Sequence, residues 1–195
     1  MNPVIETLRE ARDALDALLA NHAAVDAIGE AGRLIAAAFT RGGRVFSFGN
    51  GGSMCDAMHF AEELSGRYRL DRKALPATAI SDPGHLSCVA NDYGYEQVFS
   101  RYIEAHGRAG DCLLGISTSG TSRNVLLAAE SAKAQGVTVI ALTGRPDSRL
   151  GALADIDICT PAGRFADRIQ ELHIKIVHIL IELVERELFP ENYRA

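Results

Sequence analysis

Two side chains capable of acid–base chemistry lie one helical turn apart in the stretch VFSFGNGGSMCDAMHFAEELSG, residues 45–66. His59 and Glu63 are four positions apart, so a helix places them on one face. Their apolar neighbours predict that most of this helix is buried, where an ionisable pair is costly unless it is used. An imidazole and a carboxylate so placed can transfer protons during catalysis. A satisfied core histidine beside a solvated acid is the alternative interpretation.

The residues before this helix form a candidate phosphate cradle. Residues 45–48 predict a short buried strand, and the Asn-Gly-Gly turn at 50–52 lets a ligand approach the main chain closely. We expect Ser53 to be the N-cap of the helix, which should run to about Leu64. Free amides and the helix dipole would then attract an anion to this point. An ordinary strand-to-helix turn would explain the same residues without a ligand.

A second group of hydrogen-bond donors follows the apolar run CLLGI at residues 112–116, which is typical of a buried parallel strand. The segment STSGTS, residues 117–122, has five hydroxyls in six positions and leads into a helical segment at 124–135. Hydroxyls and free amides at a helix start are the donors that phosphate oxygens need. A Ser/Thr-rich cap explains one or two of these hydroxyls more easily than five.

The segment at 167–189 predicts a long, mostly apolar helix that carries Gln170 and His178. Their spacing of eight residues corresponds to about 80° of rotation, so both can face one cavity. His173 is about 140° away from His178 by the same count. Hydrogen bonding within the core is the alternative explanation for polar side chains on such a helix.

Composition limits the classes of function. The chain has 195 residues and a net charge of −5, which suits a single globular domain and argues against binding nucleic acid. No apolar run approaches the ~20 residues that span a bilayer, and the N-terminal residues do not resemble a signal peptide. The cysteines form no CxxC motif, and we expect them to be reduced core residues of a cytoplasmic protein. They are Cys55, Cys88, Cys112 and Cys159.

Strand and helix signals alternate between residues 43 and 160, which predicts a central parallel sheet with helices on both faces. Further strands are expected at 77–80, 137–142 and 156–159. Ligands bind beyond the carboxyl ends of such strands, so the two polar loops should converge on one ligand.

Other segments complete the predicted single domain. Two amphipathic helices occupy residues 1–42, and part of their apolar surface is expected to meet another subunit. A basic stretch at 67–73 is a solvated loop or a phosphate contact. We expect a loop at 91–94, one helix over 95–106, and the long C-terminal helix within 165–189.

Four segments, in this order, closely resemble the phosphoheptose isomerases of the sugar isomerase (SIS) domain superfamily: GNGGSMCDAMHFAEELSGRYR, ANDYGY, LLGISTSGTS and ADRIQELHIKIVHILI. The resemblance covers nearly the whole chain and implies a single SIS-type α/β domain. It implies an aldose–ketose isomerase that converts sedoheptulose 7-phosphate to D-glycero-D-manno-heptose 7-phosphate through an enediol. This reaction is the first step of heptose biosynthesis for the lipopolysaccharide core. The family also implies a homotetramer with sites near subunit contacts.

The resemblance assigns roles by position. Glu63 is implied as the catalytic base and His178 as its acid partner, with one zinc ion per subunit and no nucleotide cofactor. If His178 binds zinc instead, it is not the acid, and Gln is an unusual zinc ligand, so both points stay open. The implied metal ligands are His59, Glu63, Gln170 and His178. The implied substrate contacts are Asn50, Gly51, Gly52, Ser53, Glu63, Asn91, Asp92, Ser117, Thr118, Ser119, Ser122 and Gln170.

Two alternatives accompany this interpretation. The first is an isomerase of another sugar phosphate in the same superfamily. The second is a non-catalytic binding module, because the tail FPENY at residues 189–193 resembles SIS-fold proteins that associate with the replication initiator. In that group the equivalents of Glu63 and His178 are replaced. Both are present here, which favours an isomerase that acts on a small molecule without nucleic-acid or membrane partners.

Overall fold

The structure is a computed structural model that describes residues 2–194. Its five strands, each parallel to its neighbours, form one sheet in the order β2-β1-β3-β4-β5. The expected α/β class with a central parallel sheet is therefore confirmed. The strands are β1 at Val45–Gly49, β2 at Ala77–Ala79, β3 at Cys112–Ser117, β4 at Thr138–Thr143 and β5 at Ile156–Cys159.

Helices cover both faces of this sheet. The bounds are α1 Pro3–Ala20, α2 His22–Thr40, α3 Gly52–Ser65, α4 Pro83–Tyr93, α5 Ser100–His106, α6 Arg123–Ala134, α7 Arg149–Leu153 and α8 Ala166–Leu188, with short 3₁₀ turns at Tyr95–Gln97 and Pro190–Tyr193. One core cluster joins α1, α2, α3 and α8 to one face, and a second joins α4, α5, α6 and α7 to the other. No helix of the described chain is long and apolar enough to cross a membrane.

Helix α8 follows the predicted bounds and packs its apolar face against α2 and α3. A Cβ added to Gly32 on α2 would lie 2.8 Å from Leu183 Cβ on α8, so the two helices approach closely because residue 32 is glycine. His173 is fully buried, and its Nε2 lies 3.2 Å from the carbonyl oxygen of Thr143 at the end of β4. This histidine therefore belongs to the core, and it lies apart from His178 as its spacing predicts.

Two local predictions are wrong around α4. The loop expected at 91–94 is helical to Tyr93, because the Asp82 side chain caps the start of α4 and the helix ends only at Gly94, with φ +91°. The single helix expected over 95–106 is a 3₁₀ turn followed by α5. The Ser100 hydroxyl donates to the backbone carbonyl oxygen of Gln97 at 3.2 Å and to the Gln97 side-chain Oε1 at 2.8 Å. Such local side-chain hydrogen bonds compete with a continuous helix.

The cysteines are also more exposed than expected. Cys112 is buried in β3 and Cys159 is half-buried, but Cys55 and Cys88 are exposed. The two exposed thiols lie on the outward faces of α3 and α4, where the helix period places every third or fourth side chain away from the core.

Candidate active site

The first half of the cradle is the turn between β1 and α3. Gly51, with φ +57°, occupies the N-cap position of α3, and no side chain caps this helix. The expectation that Ser53 is the N-cap is therefore wrong, because α3 begins two residues earlier than expected and Ser53 is buried in its first turn. A Cβ on Gly52 would lie 2.5 Å from Gln170 Nε2, so a side chain at this position would displace the Gln170 amide from the cradle.

The two polar loops converge on one small cavity. They follow β1 and β3, which are adjacent and parallel, so both loops emerge at the same edge of the sheet. Seven of the twelve predicted substrate residues line the cavity, whose volume is about 100 Å³. The lining residues are Asn50, Ser53, Ile116, Ser117, Thr118, Ser119, Ser122 and Gln170.

An amide pair joins the two loops. Asn50 Nδ2 donates to Asn124 Oδ1 at 2.9 Å, and Asn124 Nδ2 donates back to Asn50 Oδ1 at 2.8 Å. Tyr95 OH donates to the same Asn50 oxygen at 3.3 Å. The Asn50 side chain is thus engaged in fixing the cradle, and Asn124 at the start of α6 is a structural partner that sequence patterns did not identify.

A larger cavity of about 340 Å³ adjoins the cradle and shares Thr118 and Ser119 with it. Its other walls come from the loops after β4 and β5 and from the first turn of α8. Arg145 and Arg164 line it, and sequence reasoning did not single out either residue. The carboxyl edge of the sheet therefore presents hydroxyls and cations side by side.

His59 and Glu63 on α3 meet His178 on α8. One ligand atom from each of the three side chains lies within 4.8 Å of the others. His59 Nε2 is 2.8 Å from His178 Nε2 and 3.6 Å from Glu63 Oε1. Three of the four predicted metal ligands are therefore gathered at one point, and the fourth, Gln170, lines the cradle two turns earlier on α8.

Neighbouring groups shift the pKa of His178 and orient the ring of His59. Burial, with the nearby His59, lowers the pKa of His178, while Glu63 acts in the opposite direction. The other ring nitrogen of His59, Nδ1, lies 3.2 Å from Glu62 Oε1. A carboxylate on the far nitrogen is the usual way to orient a metal-binding imidazole, and Glu62 is a contact that the sequence patterns had not indicated.

The donor set fits a zinc ion. Two imidazole nitrogens and one carboxylate oxygen are ordinary zinc ligands, and three protein ligands leave a position open for substrate or water. At 2.8 Å, one Nε2 must donate a hydrogen bond and the other must accept it if both imidazoles are neutral. If the rings moved apart, a metal cation between them would instead bind the lone pairs of both Nε2 atoms.

Asp56 is an acid one turn before His59 on α3. Its Oδ2 is buried without a hydrogen-bond partner among the described residues. Burial raises the pKa of Asp56 to about 6, and the charge of His59 partly opposes this rise. The sequence patterns did not single this residue out, because an acid on a helix is usually solvated.

The remaining predicted substrate residues, Asn91 and Asp92, are exposed in the last turn of α4. Asn91 Nδ2 donates to Asp92 Oδ1 at 2.7 Å, and Cys88 lies one turn below. Neither residue lines the two cavities at the sheet edge. Their proposed contact with substrate stays a prediction.

The basic stretch at 67–73 is mostly exposed, as a solvated loop would be, but two of its arginines are paired with acids of α8. Arg69 Nη2 lies 2.8 Å from Glu182 Oε2, and Arg72 Nε lies 2.8 Å from Glu185 Oε1. Tyr68 stacks on His178 with ring centroids 5.9 Å apart and an interplanar angle of 23°. Both arginines are neutralised by acids of α8, which the sequence pattern alone did not indicate.

Comparison with known proteins agrees with this geometry. The SIS domain family matches residues 8–144. The chain is 59% identical to the phosphoheptose isomerase of Histophilus somni over 93% of both chains, and 57% identical to that of Tolumonas auensis over 94% of this chain and 95% of the relative.

Solved structures of phosphoheptose isomerases are also similar to this chain. A phosphoheptose isomerase from Francisella tularensis is 33% identical, with a TM-score of 0.87 over 95% of this chain and all of the other. The enzyme from Neisseria gonorrhoeae is 37% identical, with a TM-score of 0.80 over 93% and 94% of the two chains. Because these likenesses span the cradle, the His/Glu/His cluster and the whole sheet, this chain belongs to the phosphoheptose isomerase family of SIS-domain proteins.

Proposed function

We propose that this protein converts sedoheptulose 7-phosphate to D-glycero-D-manno-heptose 7-phosphate, the first step of heptose biosynthesis for the lipopolysaccharide core. The single observation that carries the proposal is the meeting of Glu63 with His59 and His178, within 4.8 Å of one another, in a chain whose relatives are named phosphoheptose isomerases. The hydroxyl-lined cradle supports a phosphorylated substrate.

The spacing of cradle and cluster supports a substrate with its phosphate at one end and its carbonyl at the other. Gln170 lines the cradle, and His178 is eight residues further along α8, which is roughly 12 Å of helix rise. Ser53 and Glu63 are similarly displaced along α3. The phosphate would supply binding energy that holds the reacting carbons at the cluster.

Glu63 is the proposed base. Its carboxylate is only 18% exposed, and in our mechanism it removes the proton from C1 of the ketose while an acid protonates the C2 oxygen. The resulting enediol then loses its O1 proton and receives a proton at C2, which gives the aldose. His178 is the proposed acid, and because burial lowers its pKa, it would donate from the neutral imidazole N–H.

Zinc is the proposed cofactor, with one ion per subunit. His59, Glu63 and His178 would hold it, with Gln170 as the predicted fourth ligand. When bound, zinc supplies Lewis-acid polarisation of the substrate oxygens. In that arrangement His178 serves as a ligand, and the proton then passes through another group.

The test is turnover in deuterium oxide. Sedoheptulose 7-phosphate is incubated with the protein, and the product is analysed by proton NMR. An enediol predicts one deuterium at C2 of the aldose, and Glu63→Gln is expected to lower kcat by about 10²–10⁴-fold. Glu130→Gln, at an exposed acid on α6 outside the site, is the matched control and should stay within about threefold. Product without deuterium, together with an unchanged kcat for Glu63→Gln, would contradict the proton-transfer mechanism.

The same assay separates the alternatives. A wild-type protein that turns over a pentose or hexose phosphate faster than sedoheptulose 7-phosphate would indicate another isomerase. A protein inert on all sugar phosphates that retains an initiator protein in a pull-down would indicate the binding module. The assembled cluster favours the isomerase, because a pure binding module has no need for a partly buried base beside two imidazoles.

We propose a homotetramer whose contacts include the N-terminal helices. Within α1 only Leu18 is buried, and Val4, Ile5 and Leu8 are 64%, 47% and 65% exposed. An apolar stripe of this kind usually marks an interaction surface. Light scattering should give four chains per particle, and Leu8→Glu should lower that mass, whereas Glu10→Lys on the same helix should not. A monomeric wild type would contradict the proposal. A cytoplasmic location stays a prediction.

A further inference from the structure

The segment 67–73, which we call the strap, connects the end of α3 to the strand β2 and lies along α8. Three of its side chains contact three residues of α8: Tyr68 with His178, Arg69 with Glu182, and Arg72 with Glu185. Because 178, 182 and 185 are spaced by four and three residues, they form one face of the helix. The strap therefore runs in register with the face that carries the proposed catalytic histidine.

Arg72 fixes the far end of the strap. Its side chain and that of Glu185 are each only 1% exposed and are joined by a 2.8 Å hydrogen bond. The guanidinium also donates to the carbonyl oxygens of Glu63 at 2.6 Å and of Leu64 at 2.8 Å, at the end of α3. Tyr193 OH donates to the second Glu185 oxygen at 2.8 Å. This buried charge pair is thus well satisfied, which is the condition for it to hold α3 and α8 together.

Arg69 fixes the near end of the strap. It pairs with Glu182 at 2.8 Å, and its guanidinium carbon lies 5.1 Å from the centre of the Tyr68 ring. The Tyr68 ring is half-buried and packs against the core cluster that contains α8. Tyr68 is therefore confined between the cation, the core and the imidazole of His178.

His178 lacks the support that His59 has. His59 Nδ1 faces Glu62, which fixes the ring while Nε2 points into the site. Within residues 2–194, the side chain of His178 makes one hydrogen bond, through Nε2 to His59, and its Nδ1 has no protein partner. The plane of this imidazole therefore depends on its Nε2 contact with His59 and on packing, and Tyr68 supplies the near-parallel ring that lies against it.

We propose that Tyr68 is a positioning residue for His178: its ring takes the place of the missing Nδ1 hydrogen bond, and the ion pairs of Arg69 and Arg72 with α8 hold it there. The inference rests on the proposed role of His178 in the site. Tyr68 itself transfers no proton, and its hydroxyl is not needed.

The test compares Tyr68→Leu, which keeps apolar bulk but removes the flat ring, with Tyr68→Phe, which keeps the ring. Tyr68→Leu is expected to lower kcat by about tenfold or more while KM changes less than about twofold, and to weaken zinc binding by roughly 10–100-fold, the range for lost ligand support. Tyr68→Phe should stay within about threefold in both measurements. Leu70→Ala, an exposed change in the same strap, is the control.

Three results would overturn the inference. Tyr68→Leu could match the wild type in kcat and zinc affinity, Tyr68→Phe could be as impaired as Tyr68→Leu, or KM could rise as much as kcat falls. Zinc affinity is measured by competition with a fluorescent chelator, so it needs no turnover. If the wild type is inert on sugar phosphates, the proposed function fails, and the zinc measurement still decides whether Tyr68 orients His178.

A second variant covers the case in which Tyr68→Leu does not fold. Arg69→Met removes the Glu182 pair and the cation near the ring, and the Arg69 side chain is half exposed, so folding should survive. We expect a severalfold loss of kcat at unchanged KM. In a double-mutant cycle, Arg69→Met should have little further effect once Tyr68 is leucine, because both changes act through one ring. Full additivity would contradict this route.

Discussion

The Nε2 atoms of His59 and His178 lie 2.8 Å apart, although 119 residues separate them in the chain. With Glu63 beside them they form a donor set that suits zinc. We therefore expect purified protein reconstituted with zinc to contain one ion per chain by elemental analysis. His59→Ala should lower that occupancy at micromolar free zinc, and His106→Ala, on the opposite side of the sheet, should not. Equal zinc content in both variants would place the metal elsewhere.

Ser122 is the clearest single test of the cradle. It is the N-cap residue of α6, yet its side chain makes no cap hydrogen bond, so its hydroxyl is available to a ligand. One hydrogen bond to a charged group contributes about 1.5–3 kcal/mol, so Ser122→Ala should lower kcat/KM for the phosphorylated sugar by roughly 10–150-fold.

The control for this prediction is the substrate rather than the enzyme. Sedoheptulose without its phosphate should be turned over equally slowly by Ser122→Ala and by the wild type, since the lost contact is to the phosphate. Ser87→Ala on exposed α4 should behave like the wild type with both sugars. A loss that is equal for both sugars would show that Ser122 supports the fold and not the phosphate.

His173 predicts an acid-sensitive fold. Burial lowers the pKa of His173 to about 4, whereas the unfolded chain binds this proton near 6.5. Between these values the unfolded state holds more protons, so the free energy of unfolding decreases as pH falls from about 6.5 to 4, by roughly 3 kcal/mol in total. Urea unfolding at pH 7.5, 6 and 5 measures this slope. His173→Gln should flatten it, and His22→Gln, at an exposed histidine, should leave it unchanged.

Asp56 predicts a pH dependence of the free energy of unfolding that is opposite in sign to that of His173. Burial raises the pKa of Asp56 to about 6, so at pH 7.5 the folded state holds an ionised carboxylate in surroundings that favour the protonated form. Asp56→Asn should raise the free energy of unfolding at pH 7.5 by about 1 kcal/mol, since solvent screens part of the penalty. The gain should vanish near pH 4, where the wild-type acid is protonated in the folded state. Asp26→Asn, at an exposed acid, should show no such pH dependence.

Regular features of the site were predictable from sequence. The alternation of strand and helix signals fixes a parallel sheet, and its edge brings the loops after β1 and β3 together. Helical spacing places His59 and Glu63 on one face, and the long apolar pattern of α8 places His178 apart from His173. These outcomes depend on periodicity and topology, which a single chain displays directly.

Contacts that depend on irregular backbone were not predictable. The strap has no period, so nothing in its composition indicated that Arg69 and Arg72 pair with α8 or that Tyr68 reaches His178. Ser53 looked like an N-cap because its residue type is favoured there, but the positive φ of Gly51 starts α3 earlier. Tertiary packing, rather than local preference, decided each of these cases.

The division of the cluster between α3 and α8 also affects how the protein is made. Glu63 and His59 leave the ribosome long before His178, and a domain generally folds as a unit. Until α8 docks, Glu63 and His59 have no contact with His178. Isomerisation, and metal binding through the full ligand set, can therefore begin only after α8 has been made and has docked.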